Sequence, residues 1–355
     1  AKAAAPSQTS KAPPSRTAWG DPDLQGVYTF STSTPLERPN RLAHKDTYTE
    51  AELAELEEQG QASQTQADAT YTTEARPEGT QERPQPEAEN FTNAATATLG
   101  SVLGGAADPG GYNEYWTSSE KGRLTGRTSL IVEPENGRKP ELTERGKKIR
   151  EKALADTAAR RIGTLPFQYI LYNTWEDHPT YTRCIDRPMP RVRQAYNHGV
   201  EILQTPGYVV IHYESMHDVR IIPLDGRPHL DASIRQWDGD SRGHFEGNTL
   251  VVDWTNFSDK QEWEGAPQGN MHFTERFTRV DANVINYQVT VDDPTTWTAP
   301  WTLVVPWRAD DPVYQKPEDL YEYACHEGNW RMMENSLLGT RTIKQTVQQA
   351  QPAEK

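Results

Sequence analysis

Gly207-Tyr-Val-Val-Ile-His-Tyr-Glu-Ser215, followed directly by His217-Asp-Val-Arg-Ile-Ile-Pro-Leu-Asp225, decides the fold class. Both runs are dense in β-branched and aromatic residues, and the second ends in the turn sequence Leu-Asp-Gly-Arg. Such runs, bounded by Gly, Asp and Pro, read as strands of a hairpin. Downstream, the same texture repeats over Ile234–Trp237, Gly243–Gly247, Thr249–Phe257, Met271–Val280, Val284–Asp292, Trp301–Arg308 and Leu320–Cys325. Short turn signals separate them (Asp-Gly-Asp-Ser, Glu-Gly-Asn-Thr, Val-Asp-Ala-Asn, Asp-Asp-Pro). Many consecutive strands with short connections describe an antiparallel meander. A meander of this length protects its edges by closing into a barrel or folding into a sandwich. The expectation is a mainly β protein with N-terminal helical and irregular extensions.

Working towards the N-terminus, the signals thin out. Residues 1–18 are an Ala/Pro/Ser-rich arm without an initial Met, as in a mature chain after signal-peptide removal. Residues 19–45 hold a first strand, Asp23–Phe30. Residues 46–110 hold an acidic helix, with Thr49 and Glu52 as its capping box, and then a polar insert. Residues 111–198 combine a strand at Arg127–Glu133 with a helix over Leu142–Ile162, begun at Thr143, that docks on the core. The barrel core spans 199–344, and 345–355 is a polar tail.

The chain has 355 residues and a net charge of −14. Twelve acidic and two basic residues lie between Asp46 and Glu89, so the acidity belongs mainly to the insert and the β core is near neutral. The insert is almost free of large aliphatic residues, so it cannot bury enough apolar surface to offset its ordering entropy. The low hydrophobic fraction, 34%, has the same origin, whereas 10 Trp, 15 Tyr and 7 Phe imply an aromatic-rich core. The acidic balance argues against nucleic acid as the partner. No apolar run reaches the ~18 residues of a membrane helix, so no membrane insertion is expected.

Cys184 and Cys325 are too few for a disulfide scaffold or a Cys-based zinc site. In an exported protein they form one bridge, worth roughly 4–5 kcal/mol in the chain-entropy model. In a cytosolic protein both are buried thiols.

Several stretches carry a resemblance. Arg127-Thr-Ser-Leu-Ile-Val132, Gln204-Thr-Pro-Gly-Tyr-Val-Val-Ile211, His217-Asp-Val-Arg-Ile-Ile-Pro-Leu-Asp-Gly-Arg-Pro-His229, Gly239-Asp-Ser-Arg-Gly243 and Tyr321-Glu-Tyr-Ala-Cys-His-Glu-Gly-Asn329 are the main ones. Together they resemble a family of secreted bacterial proteins that occur in many copies per genome and have no assigned reaction. The resemblance implies export, periplasmic or secreted, and one common fold. A looser likeness is to calycin barrels of the lipocalin type, with Gly26-Val-Tyr28 and Arg331 in the places of their Gly-x-Trp and late Arg.

Side chains two apart on a strand share a face. His217, His272 and His326, with Glu246 and Glu275, are therefore candidates for acid–base chemistry, since imidazole titrates near neutral pH and a carboxylate orients it. Arg220, Arg242 and Arg276, with Trp237, Trp254 and Tyr321, are candidates for holding a small amphipathic or aromatic ligand. A further group, Arg183, Arg187, Arg191 and Arg193, surrounds Cys184 and would clamp a carboxylate or phosphate if turned inward. No cofactor is expected, because no nucleotide fingerprint, phosphate loop, haem-attachment motif or His-Glu-x-x-His is present. A divalent metal is the alternative, with His212-x-Glu214 or His244-x-Glu246 as paired ligands. Gly239-Asp-Ser241-Arg-Gly243 lacks nucleophile-elbow spacing and reads as a hairpin turn.

The leading expectation is an exported β protein that binds a small molecule, with cofactor-free lyase, dehydratase or isomerase chemistry as its enzymatic form. A structural or assembly protein of the cell envelope, oligomerising through its arms, is the alternative.

Overall fold

A computed structural model describes residues 15–59, 124–162, 169–192, 197–309 and 320–350. The first fourteen residues of the arm, most of the polar insert and the end of the tail lie outside the described residues.

The protein is mainly β and its main sheet is antiparallel. Two meanders build it. The first comprises β5 (Gly199–Thr205), β6 (Tyr208–Tyr213) and β7 (Val219–Pro223). The second comprises β8 (Asp240–Glu246), β9 (Thr249–Thr255), β12 (His272–Asp281), β13 (Val284–Asp292) and β14 (Trp301–Arg308). The N-terminal strand β1 (Gly26–Thr29) lies between β5 and β14 and joins the two, giving the order β7-β6-β5-β1-β14-β13-β12-β9-β8. Strand β2 (Ile131–Glu133) also pairs with β14. Two short two-stranded pairs stand apart: β3 (Arg161–Ile162) with β4 (Tyr169–Ile170), and β10 (Glu262–Trp263) with β11 (Ala266–Pro267).

Among the described residues, backbone pairing does not close the sheet into a barrel, which corrects that part of the expectation. Its two edges nonetheless meet through side chains. Arg220 of β7 donates to Ser241 Oγ of β8 at 3.1 Å. Gly243 of β8 lies so close to β7 that a Cβ there would stand 2.8 Å from both Ile222 and Leu224. Covering the edges in this way answers the aggregation hazard of unpaired strands without a closing ladder.

Alternation decides which face is inside. Along β12 the buried residues are Phe273, Glu275 and Phe277, along β13 Ile285, Tyr287, Val289 and Val291, and along β14 Trp301, Leu303, Val305 and Trp307. Aromatic rings occupy this inner face, with Tyr287–Trp307 centroids 4.6 Å apart and Phe277–Tyr287 centroids 4.8 Å apart. Much of the aromatic richness of the composition thus lies in the core, while Trp19, Trp175 and Trp330 are exposed.

The helices begin where their caps place them. Helix α1 covers residues 50–59, and Thr49 and Glu52 form the expected capping box: Glu52 Oε2 accepts from Thr49 N at 2.8 Å, and Thr49 Oγ1 accepts from Glu52 N at 3.3 Å. Helix α2 (Glu144–Ala159) begins at Thr143, whose Oγ1 accepts from Gly146 N at 2.9 Å and donates to Thr295 O at 2.6 Å. Gly146 lets this helix touch the 293–297 turn, since a Cβ there would sit 2.3 Å from Thr296 O.

The C-terminal region departs from the sequence expectation. Leu320–Cys325 is irregular rather than a strand, and α3 (His326–Ala350) follows where the end of the barrel and the polar tail were expected. Ile234–Trp237 is likewise no strand; it makes one isolated bridge, Gln236 to Phe257. Ser241 lies within β8 rather than in a turn. Cys184 and Cys325 form a disulfide, which ties the start of α3 to the segment around residue 184.

Candidate functional site

Within the curled sheet, Arg220 and Glu275 form a two-pronged ion pair, with Nη2–Oε2 at 2.6 Å and Nη1–Oε1 at 3.1 Å. Tyr287 OH donates to Glu275 Oε1 at 2.5 Å, and the guanidinium lies over the Trp254 ring at 3.4 Å. Burial opposes the charge on Arg220, yet Glu275 outweighs it and the pKa is raised overall. Three residues singled out from the sequence, Arg220, Glu275 and Trp254, therefore meet in the core, the first two as matched charges and the third as the ring beneath the guanidinium.

The remaining sequence candidates lie outside that core. Glu246 pairs with Arg276 at 2.9 Å on the exposed face, with His244 beside it at 3.3 Å. His272 Nε2 lies 2.8 Å from Asp253 Oδ2, and His229 bridges Asp253 Oδ1 at 2.6 Å and Asp240 Oδ2 at 2.7 Å. Arg242 caps that chain through Asp240 at 2.6 Å. The hydrogen bond to Asp253 raises the pKa of His272, and the bond from His272 is the leading cause that lowers that of Asp253. This alternating chain fastens the 225–236 connection to β8, β9 and β12. His217 Nε2 accepts from Tyr323 N at 3.2 Å, His326 is exposed at the start of α3, and Tyr321 is 46% exposed. Trp237 is half-buried and its carbonyl accepts from Gln261. His212 lies 3.5 Å from Glu201, while Glu214 accepts from Gly199 N and Asn197 Nδ2, so the anticipated His212/Glu214 ligand pair is divided between other partners.

A cavity of about 610 Å³ opens elsewhere, between residues 176–192 and 260–264. The short 3-10 turn Trp175–Asp177 is set by Asp177, whose Oδ2 accepts from Asn173 N at 2.6 Å and Thr174 N at 3.1 Å. Trp263 Nε1 then donates to Pro190 O at 2.9 Å, and Gln268 Nε2 to Met189 O at 2.5 Å, fixing the opposite wall. His178 stacks on Tyr172 at 4.1 Å and meets Ser336 Oγ of α3 at 2.8 Å. Burial lowers its pKa.

The lining includes Arg160, Arg183, Arg187, Arg191 and Lys260 as cations and Glu176, Asp177, Glu262 and Glu264 as anions. Much of this charge is already matched. Arg160 lies 3.9 Å from Asp177, and Glu264 pairs with Lys139 at 2.9 Å. Arg183 and Arg187 have no ion-pair partner among the described residues; they lie over the rings of Trp175 and Tyr181 at 5.0 and 5.8 Å. The sequence clustering of arginines around Cys184 was the one signal for this wall.

Behind it sits an acidic group. Arg191, 2% exposed, contacts Asp218, lies 3.6 Å from Asp186 and donates to Ser215 O at 2.7 Å. Gln261, which lines the cavity, donates to Asp186 Oδ2 at 2.6 Å. Asp186, Asp218 and Asp238 are the single set of three His, Cys, Asp or Glu residues among the described residues whose candidate ligand atoms all lie within 4.8 Å of one another. Burial, then mutual repulsion, raises the pKa of Asp238, and burial raises that of Asp186. None of the three was singled out from the sequence as a site residue.

No helix among the described residues is long and apolar enough to cross a membrane. Comparison with protein-family models, curated proteins and solved structures finds no match.

Proposed function

We propose that this is an exported binding protein for a small ligand that carries a carboxylate or phosphate on an aromatic or apolar body. The observation that carries the reading is the pair Arg183 and Arg187: two half-buried guanidinium groups on the wall of a cavity of about 610 Å³, with no carboxylate partner among the described residues. Ligand sites commonly occupy ~300–1,000 Å³ and combine apolar walls with a few fixed polar groups. Here Tyr181, Trp263, Val192 and three prolines supply the apolar part. A guanidinium stacked on an aromatic ring keeps its N–H edge free for two-pronged binding of an oxyanion. The disulfide and the resemblance to secreted bacterial proteins support export.

The full chain titrated with benzoate, phenyl phosphate and the neutral benzamide tests this, with calorimetry and tryptophan fluorescence as readouts. Saturable binding of an anionic probe, with benzamide silent, is expected. Arg183→Ala and Arg187→Ala should each weaken it about 10- to 100-fold, the worth of a hydrogen bond to a charged group. Anion binding that is unchanged in the double variant, or preference for benzamide, would overturn the proposal.

A further inference from the structure

We infer that Asp186, Asp218 and Asp238 form a binding site for a hard divalent cation of the calcium class. Three separate connections bring them together: the segment after Cys184, the β6–β7 turn and the turn that precedes β8. Met216 and His217 adopt the left-handed conformation in the β6–β7 turn, which swings Asp218 back onto Arg191. Every donor in the group is oxygen, the set that hard cations select.

Two features besides the clustering point to a positive occupant. The first is unpaired oxygen. Gln261 Oε1 and Ser215 Oγ are buried with no hydrogen-bond partner among the described residues. Gln261 is 3% exposed, and its amide is the group that reaches Asp186, so its orphaned Oε1 lies beside the carboxylates. Buried acceptors without a donor cost free energy unless something positive sits among them. The second is charge. Three carboxylates face one guanidinium in direct contact, Arg191, while the nearby Arg220 is already matched by Glu275. Bound there, the cation would cross-link three loops behind the cavity wall. Nothing in this depends on what the cavity binds.

The test uses the full chain, stripped with a chelator and titrated with calcium chloride by calorimetry at neutral pH. One equivalent should bind with a dissociation constant of about 10⁻³ M or tighter, the upper limit set by extracellular calcium modules. The thermal midpoint should rise with calcium. Asp186→Asn and Asp218→Asn should weaken binding at least about tenfold, a loss of ~1.4 kcal/mol, whereas Glu246→Gln, at an exposed pair, should leave it unchanged. Circular dichroism checks that the variants fold. If they do not, hydrogen exchange on the wild-type chain decides: calcium should protect residues 184–191, 214–219 and 236–240. No saturable binding, equal affinity in the folded Asn variants, or protection confined to other segments would each overturn the inference.

Discussion

Replacing Glu275 by Gln removes one charge from the centre of the fold and changes almost nothing in shape. Arg220 is 3% exposed and Glu275 0%, so the guanidinium left behind has neither water nor a counter-ion. Breaking a buried ion pair from one side costs about 3–5 kcal/mol, mostly because of the uncompensated charge. The Tyr287 hydroxyl, 2.5 Å from Oε1, loses its charged acceptor as well, which adds about 1 kcal/mol. Against a typical total of ~5–15 kcal/mol, Glu275→Gln should therefore remove a large share of the stability. Urea denaturation followed by the fluorescence of the buried Trp254 and Trp307 measures it. The decisive companion is Arg220→Met with Glu275→Leu. Removing both charges eliminates the desolvation penalty, so the double variant should recover most of the loss and show strong coupling in a double-mutant cycle. The single-variant effect should also be insensitive to salt, because a buried pair is hardly screened. A Glu275→Gln cost below about 1 kcal/mol would refute the reasoning, as would a double variant no better than the single one.

Two further outcomes follow from other contacts. Cys184→Ser should lower stability by up to about 5 kcal/mol in the chain-entropy model and detach the start of α3, which is tied by that bridge and by Ser336 to His178; limited proteolysis should then cut between residues 320 and 330 first, and an unchanged cleavage pattern would contradict it. The His272–Asp253 bond should confer stability in a pH window. The raised His272 pKa makes its contribution complete below the ordinary histidine value and lost as pH rises through the folded value; the lowered Asp253 pKa makes its contribution complete above the ordinary carboxylate value and lost as pH falls through the folded one. The wild type should thus exceed His272→Asn most between about pH 4 and 6.5, by no more than ~1 kcal/mol because both side chains are nearly half exposed. Chemical denaturation at pH 5 and pH 8 measures it, and an equal gap at the two pH values would count against the bond.

The β core was legible because its chemistry is local. Tyr208–Tyr213, His272–Asp281 and Val284–Asp292 alternate in burial as their residue types alternate, and the last two end at turn signals visible in sequence. Which face is inside was not legible, since Phe273 and Glu275 share the buried face and a carboxylate does not announce burial. Helix α3 was hidden for a related reason. It buries Thr340 and docks through Ser336 and Thr340, while Trp330, Met332 and Leu338 are exposed, so no apolar stripe marks its packed side. The closure was beyond reach too, because β1 inserts between β5 and β14 through pairings about 170 and 280 residues away in the chain.

The candidate site shows why residue types alone misdirect. In sequence, Arg220 with Glu275 and Arg191 with Asp186 are equivalent: a basic and an acidic residue in a β-rich, aromatic chain. In the fold both arginines are buried, and each lies over an aromatic ring, Trp254 at 3.4 Å and Tyr213 at 4.8 Å. What separates them is satisfaction. Both oxygens of Glu275 have donors and one guanidinium meets one carboxylate. Around Arg191 three carboxylates compete for one guanidinium and oxygens are left without partners. The matched pair holds the fold together, with Arg220 Nε its one atom left without a partner among the described residues. An open one retains unmatched charge and lone pairs at a standing cost to stability, and it is that cost which the proposed cation would relieve.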